Sequence, residues 1–341
     1  MKFASISQVL EKVSVLSQAD EDTVAQVRDH QLQLTKPPGS LGRLEELVEF
    51  LAGWQRRAVP SLDRIQALVF AGNHGICAQG VNPYPQSVTE QMVANFKSGG
   101  AAINQLCAVY DAKLSVIGLD LDQPTNDFTS AVALPESECL AAINAGAVSV
   151  DPEADLLILG EMGIGNSTVA AALVCALLGG PVSDWVGAGT GADSAGIDRK
   201  VKAVKKGLAR HQHDFHDPLR VLMAFGGREQ AAIVGAVLAA RHYSIPVILD
   251  GFICCAAAAV VAGLCPSGLD HCLVGHCSAE RGHERLLREL KKEPLLCLGM
   301  RLGEGTGAAL ALGVIRGALA CHNGMATFAS ARVDSAEGTL T

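Results

Sequence analysis

Aromatic side chains are scarce in this sequence of 341 residues: two Trp, three Tyr and nine Phe. A core built on stacked rings is excluded, and packing must rest on aliphatic side chains and close backbone contact. Charge is thin as well, at 18% of residues, and it sums to −8 with no run of Lys or Arg. That balance argues against nucleic acid or an anionic membrane as a partner. The longest uncharged apolar stretch, Phe252 to Cys265, falls short of the roughly 20 residues that span a bilayer. The opening "MKFASISQVLEKVSVL" carries Glu11 and Lys12 where a signal peptide needs an unbroken apolar stretch. A G-x-x-x-x-G-K-[ST] phosphate loop is missing.

What is abundant is hydrophobic residues, at 49%, together with 36 glycines and 11 cysteines. So apolar a chain can bury a large core, and disorder is not expected. The cysteines are odd in number and scattered through apolar segments such as "FICCAAAAVV". They read as reduced, buried thiols, which implies a soluble protein of the cytoplasm.

Residues 1–60 have helical periodicity, broken at "TKPPGS" by its prolines. After Pro60 come short apolar runs, each closed by glycine or polar residues. Seven are expected as strands: "IQALVFAGNHG", "KLSVIGLDLDQ", "ADLLILGEMGIGN", "SDWVGAGTGAD", "RVLMAFGGRE", "IPVILDGF" and "DHCLVGHCSAE". Helical stretches such as "STVAAALVCALL" follow most of them. Strand, loop and helix in alternation predict an α/β fold, a Rossmann-like, mostly parallel sheet covered on both faces. Its ligand site belongs beyond the carboxyl ends of the strands, where all seven polar tails are expected to gather. Helical sequence resumes from Leu310, and the tail "DSAEGTLT" reads as frayed. Residues 61–312 are accordingly expected to form the sheet domain, and 1–60 with 313–341 a smaller helical one.

"GAGTGA" (187–192) and "GEGTGA" (303–308) both fit the dinucleotide pattern G-x-G-x-x-[GA]. About 20 residues beyond the first, where an acid should end a strand, stands "HQHDFHD". A cradle of backbone N–H groups for phosphate is better supported than NAD or ATP. His271, Cys272, His276 and Cys277 are spaced five apart along an expected strand and its exit, which scatters them as zinc ligands. No metal is assigned. Two carboxylates stand out, Glu161 in "LGEMGIGN" and Glu304 in "LGEGTG", each framed by glycine before a helix. A helix-terminus role, worth about 0.3–1 kcal/mol, competes evenly with catalysis on residue type alone. Glycine on both sides favours a ligand pressed against backbone.

"KPPGSLGRLE" (36–45), "GNHG" (72–75), "EMGIGN" (161–166), "GGRE" (226–229), "SAERGH" (278–283) and "RLGEGTGAALAL" (301–312) together resemble one family. It is the nicotinate-nucleotide–dimethylbenzimidazole phosphoribosyltransferases, which make the lower-ligand nucleotide of cobalamin. The resemblance implies a cytoplasmic homodimer with a parallel-sheet domain and a smaller helical one. It implies transfer of phosphoribose from nicotinate mononucleotide to a benzimidazole-type base, inverting C1′, with no cofactor. Glu304 matches the general base and Glu161 a second acid near the nicotinate end, with Gly163 in the same loop. Lys200, Ser278 and the Gly189–Thr190–Gly191 turn match phosphate- or ribose-contacting positions. Leu302, Tyr84 and Gln86 match the pocket for the incoming base. Asp250 alone in "VILDGF", where a metal-dependent phosphoribosyltransferase carries paired acids, fits a metal-free reaction. An NAD-dependent dehydrogenase and a non-catalytic nucleotide-binding protein remain the rival readings.

Overall fold

The computed structural model describes residues 1–334; of the tail expected to fray, all but Asp334 lies outside the described residues. Its centre is a six-stranded, all-parallel sheet: β1 (Ile65–Ala71), β2 (Ala112–Gly118), β3 (Leu156–Met162), β4 (Val247–Leu249), β5 (Cys272–His276) and β6 (Pro294–Leu296), ordered β2-β1-β3-β4-β5-β6. The order reverses between β1 and β3, because β1 is followed on one side by β2 and on the other by β3. Such a reversal opens a crevice at the carboxyl ends of the strands.

Alternation along the strands divides the core in two. Leu157, Leu159, Val247 and Leu249 face one layer, whose helices include Glu136–Ser149, Asn166–Leu178, Arg228–His242 and Phe252–Leu264. Leu156, Ile158 and Ile248 face the other, formed by Arg43–Gln55, Ala102–Val109 and Thr306–Gly324. The central strands are buried on both faces, whereas edge strands β2 and β6 are only half-buried. In the Arg228–His242 helix every residue but His242 is buried. It crosses Glu136–Ser149 so closely that a Cβ at Gly235 would lie 1.8 Å from the Ile143 carbonyl oxygen. The sequence's small residues thus replace absent rings with backbone contact.

Two expected strands are helices. "SDWVGAG" contributes the single turn Val182–Trp185, and "RVLMAF" lies in the helix Pro218–Phe225. The second begins at Asp217, whose side chain accepts from the N–H groups of Leu219 and Arg220, with Pro218 in the first turn. A capping acid and a proline at that position specify a helix start. The sheet therefore sends five, not seven, of the expected polar tails to its carboxyl edge. β6 has no counterpart among the expected strands, since "KKEPLLC" is too short and too charged at one end to read as one. The N-terminal helices Ile6–Val13, Glu21–Gln33 and Arg43–Gln55 lie where helical periodicity placed them, and the "TKPPGS" break falls between the last two.

Candidate active site

Glu161 sits near the end of β3, paired in register with Phe70 of β1. Its side chain is 4% exposed and accepts from the Asn166 amide at the head of the Asn166–Leu178 helix. Burial holds its carboxyl well above the usual carboxylate range, and the nearby acids Asp250, Glu229 and Glu304 push the same way. Glu304 lies on the loop entering the Thr306–Gly324 helix, and its N–H donates to the Glu161 carbonyl oxygen at 3.2 Å. The two acid-bearing loops are thus joined main chain to main chain.

Gly303, Glu304 and Gly305 all have positive φ, at 84°, 65° and 85°. Glycine adopts this region freely; glutamate held there costs on the order of 1 kcal/mol or more. Helix capping does not explain the strain, because Glu304 precedes the N-cap and another residue occupies the helix end. Asp250, just after β4, accepts from the N–H groups of Gly307 (2.8 Å), Ala308 (3.0 Å) and Gly305 (3.1 Å). With those donors engaged, Glu304 Oε2 is buried without a hydrogen-bond partner. With the helix N–H groups taken by Asp250, burial pushes the Glu304 carboxyl up to about 7, and the Asp250 charge adds to it.

These loops border a cleft at the carboxyl ends of β3, β4 and β5. Of the residues expected in the site, Glu161, Gly163, Gly189, Thr190, Ser278 and Leu302 line it. Lys200 stands behind the wall, where its Nζ donates to Ser167 Oγ (3.0 Å), a wall residue, and to the Gly187 carbonyl (3.1 Å). It is 3% exposed, and burial lowers its pKa from the ordinary lysine value. Glu304 is not in the wall; its neighbour Gly303 is, with a hypothetical Cβ only 2.6 Å from Glu161 Oε1. Tyr84, Gln86 and Gly191 are also outside it. Tyr84 is half-exposed, and the Gln86 amide donates to the His74 carbonyl.

The helices Asn166–Leu178 and Phe252–Leu264 both begin at the cleft without a side-chain cap. Uncapped N–H groups beside an ammonium form a binding place for a phosphate. The two glycine patterns lose their dinucleotide context, since neither follows a strand directly: "GAGTGA" leaves a single helical turn, and "GEGTGA" begins seven residues after β6. Among the described residues, no three His, Cys, Asp or Glu side chains are grouped to hold a metal ion. His271 instead bonds the Val237 carbonyl in the core, at 3.0 Å.

A family model described as phosphoribosyltransferase matches residues 16–333. The chain belongs to that family. The nicotinate-nucleotide–dimethylbenzimidazole phosphoribosyltransferase of Novosphingobium aromaticivorans is 55% identical over 332 residues, 97% of this chain and 98% of the relative. The enzyme of that name from Rhodobacter capsulatus is 56% identical over 331 residues, with the same coverage. A crystal structure of the Thermus thermophilus enzyme superposes with a TM-score of 0.85 at 40% identity, covering 93% of this chain and 99% of the other.

In this phosphoribosyltransferase, sequence reasoning passed over Asp250 as a functional residue and read His276 only as a rejected zinc ligand. Both line the cleft, 3.5 Å apart between His276 Nε2 and Asp250 Oδ1. A signal was available, in that each ends or follows a strand of the sheet, at the edge where the site was expected. His74 and Glu229, from "GNHG" and "GGRE", form a second fully buried pair at 3.3 Å beneath Gly163. No described helix is long and apolar enough to cross a membrane.

Proposed function

We propose that this phosphoribosyltransferase moves the 5-phosphoribosyl group of nicotinate mononucleotide to 5,6-dimethylbenzimidazole. The products are α-ribazole 5′-phosphate and nicotinate, with C1′ inverted. The names of its full-length relatives support the substrate pair. The observation that carries the chemistry is Glu304 itself, held beside the cleft on left-handed backbone with Oε2 buried and unpartnered, and with burial raising its carboxyl pKa to about 7.

One benzimidazole nitrogen gives its lone pair to C1′ as the bond from C1′ to the pyridinium breaks. That electron pair returns to the ring nitrogen, so nicotinate leaves without needing a proton. The benzimidazole becomes cationic, and its second nitrogen passes a proton to Glu304, the general base. A pKa near the working pH suits that role, because the carboxylate is populated yet basic. Glu161, close to the ring's departure side, serves as a hydrogen-bonding wall of the cleft rather than as an anion, because burial suppresses its ionisation. Lys200, with Ser167, Ser278, the Gly189–Thr190–Gly191 turn and the head of the Asn166–Leu178 helix, holds the phosphate. Leu302, Tyr84 and Gln86 shape the approach of the base, which reaches Glu304 past Gly303. We assign the enzyme to the cytoplasm as a homodimer, with residues 1–60 and 313–334 as its smaller helical part, packed on the sheet through Arg43–Gln55 and Thr306–Gly324.

Incubating the protein with both substrates should release nicotinate and form an α-riboside phosphate, separable by chromatography. Folded protein that yields neither refutes the reading.

A further inference from the structure

The head of the Thr306–Gly324 helix is held by a side chain from another strand end, and the acid nearest that helix is left without any hydrogen-bond partner on Oε2. We propose that Asp250, backed by His276, is the positioning residue of the transfer: by occupying the N–H groups at the head of this helix it keeps the Glu304 carboxyl free for an azole N–H. This inference rests on the proposed transferase reaction, with Glu304 as base.

Three observations carry it. Asp250 is fully buried, and both its oxygens accept from the turn that follows Glu304. That turn is also confined by His276, since a Cβ at Gly307 would fall 2.0 Å from the imidazole Cδ2. The left-handed run from Gly303 to Gly305 is thus pinned against Gly160 of β3 and, through the helix head, against Asp250 and His276, which keeps its strain from relaxing. An isolated glutamate before a helix would relax onto the free N–H groups and lose its basicity.

Acidic and neutral groups surround Glu304, and Arg301, a cation lining the same cleft, donates to the Gly189 carbonyl at 2.8 Å. Asp250 approaches from the end of β4 and Glu161 from β3, with Glu229 acting on Glu161 from the Arg228–His242 helix. From β5 comes His276, whose pKa burial lowers. Burial lifts Asp250 to about 7 while its three N–H bonds pull it down. Its charge in turn raises Glu304, and such coupling is reciprocal.

Asp250→Asn keeps the shape but removes the charge, and its Nδ2 meets a donor where Oδ2 had accepted one. Turnover should fall on the order of 100-fold, as for a misplaced catalytic group. The acid limb of the kcat/KM profile should move to lower pH, because a like charge is lost and helix donors become open to Glu304. A merely structural defect would lower activity without moving that limb. A folded Asp250→Asn enzyme with the parent turnover and limb overturns the proposal. Should Asp250→Asn fail to fold, the reciprocal arm decides: in Glu304→Gln, carboxyl-carbon NMR should show Asp250 titrating at lower pH than in the parent. An unmoved Asp250 overturns the proposal. The titration is read without substrates, so inactivity of the parent enzyme would sink the transferase reading and leave this result standing.

Discussion

The main-chain N–H of Glu304 donates to the carbonyl oxygen of Glu161. One acid therefore cannot be displaced without pulling on the loop that bears the other, and the two carboxyls share a single stretch of desolvated ground.

Glu304→Gln removes the proposed base at nearly constant volume. Turnover should drop about 10²–10⁴-fold, the usual worth of general base catalysis. Donor affinity should hold, which equilibrium binding of nicotinate mononucleotide will check. Equal losses in both would point to a binding role.

The same carboxyl predicts a pH-dependent stability. Its pKa in the folded protein lies near 7, against 4.5 when unperturbed. The folded state therefore favours the protonated form. The stability this gives is fully present below pH 4.5 and is lost as pH rises through 7. Glu304→Gln should thus unfold later than the parent at pH 9, by up to about 3 kcal/mol in denaturant titrations. The two should converge near pH 4.5, and parallel curves at all pH values would contradict the assignment. In turnover the sign reverses: kcat/KM should climb with pH toward 7 as the base ionises.

Lys200→Met keeps the buried aliphatic stem and deletes the ammonium beside Ser167. A lost charge-assisted contact to phosphate is worth about 1.5–3 kcal/mol. The KM for the donor should rise roughly 10- to 100-fold with a smaller change in kcat. A KM that stays put would move the phosphate elsewhere in the cleft.

Gly303→Ala places a Cβ 2.6 Å from Glu161 Oε1 at a φ of 84°. Both the left-handed backbone and the clash act against it, so thermal stability should fall by about 1–2 kcal/mol. Gly299→Ala, with φ at 68° and nothing within 4 Å of its Cβ, separates the two effects. It should share the backbone cost but spare activity.

Among the eleven free thiols, Cys297 is exposed, whereas Cys254 and Cys255 are fully buried with their pKa values raised by desolvation. A thiol reagent should label Cys297 first in the native protein. It should reach the Cys254–Cys255 pair only with unfolding, which peptide mapping will show.

The sheet was legible where a strand is buried on both faces, as in "LLILG" and "VIL", because a central parallel strand reads as a short continuous apolar run. "RVLMAF" has the same composition and failed, since its helix is announced by Asp217 and Pro218 rather than by the run itself. β6 escaped because an edge strand three residues long has little to bury. At the site, glycine framing singled out both acids. It could not show which residue caps the helix: Asp250 stands 54 residues before Glu304 in sequence, and only the sheet brings them together. Lys200 illustrates the same limit, a buried ammonium whose sequence neighbours Arg199 and Lys202 suggest a solvated face.

The Arg228–His242 helix, enclosed but for His242, carries Glu229 at its head, beneath the loops of the cleft. Amide hydrogens there can reach solvent only when the whole molecule opens. Loss of turnover under heat or denaturant should then track global melting, and a partly melted yet still assembled enzyme should not accumulate.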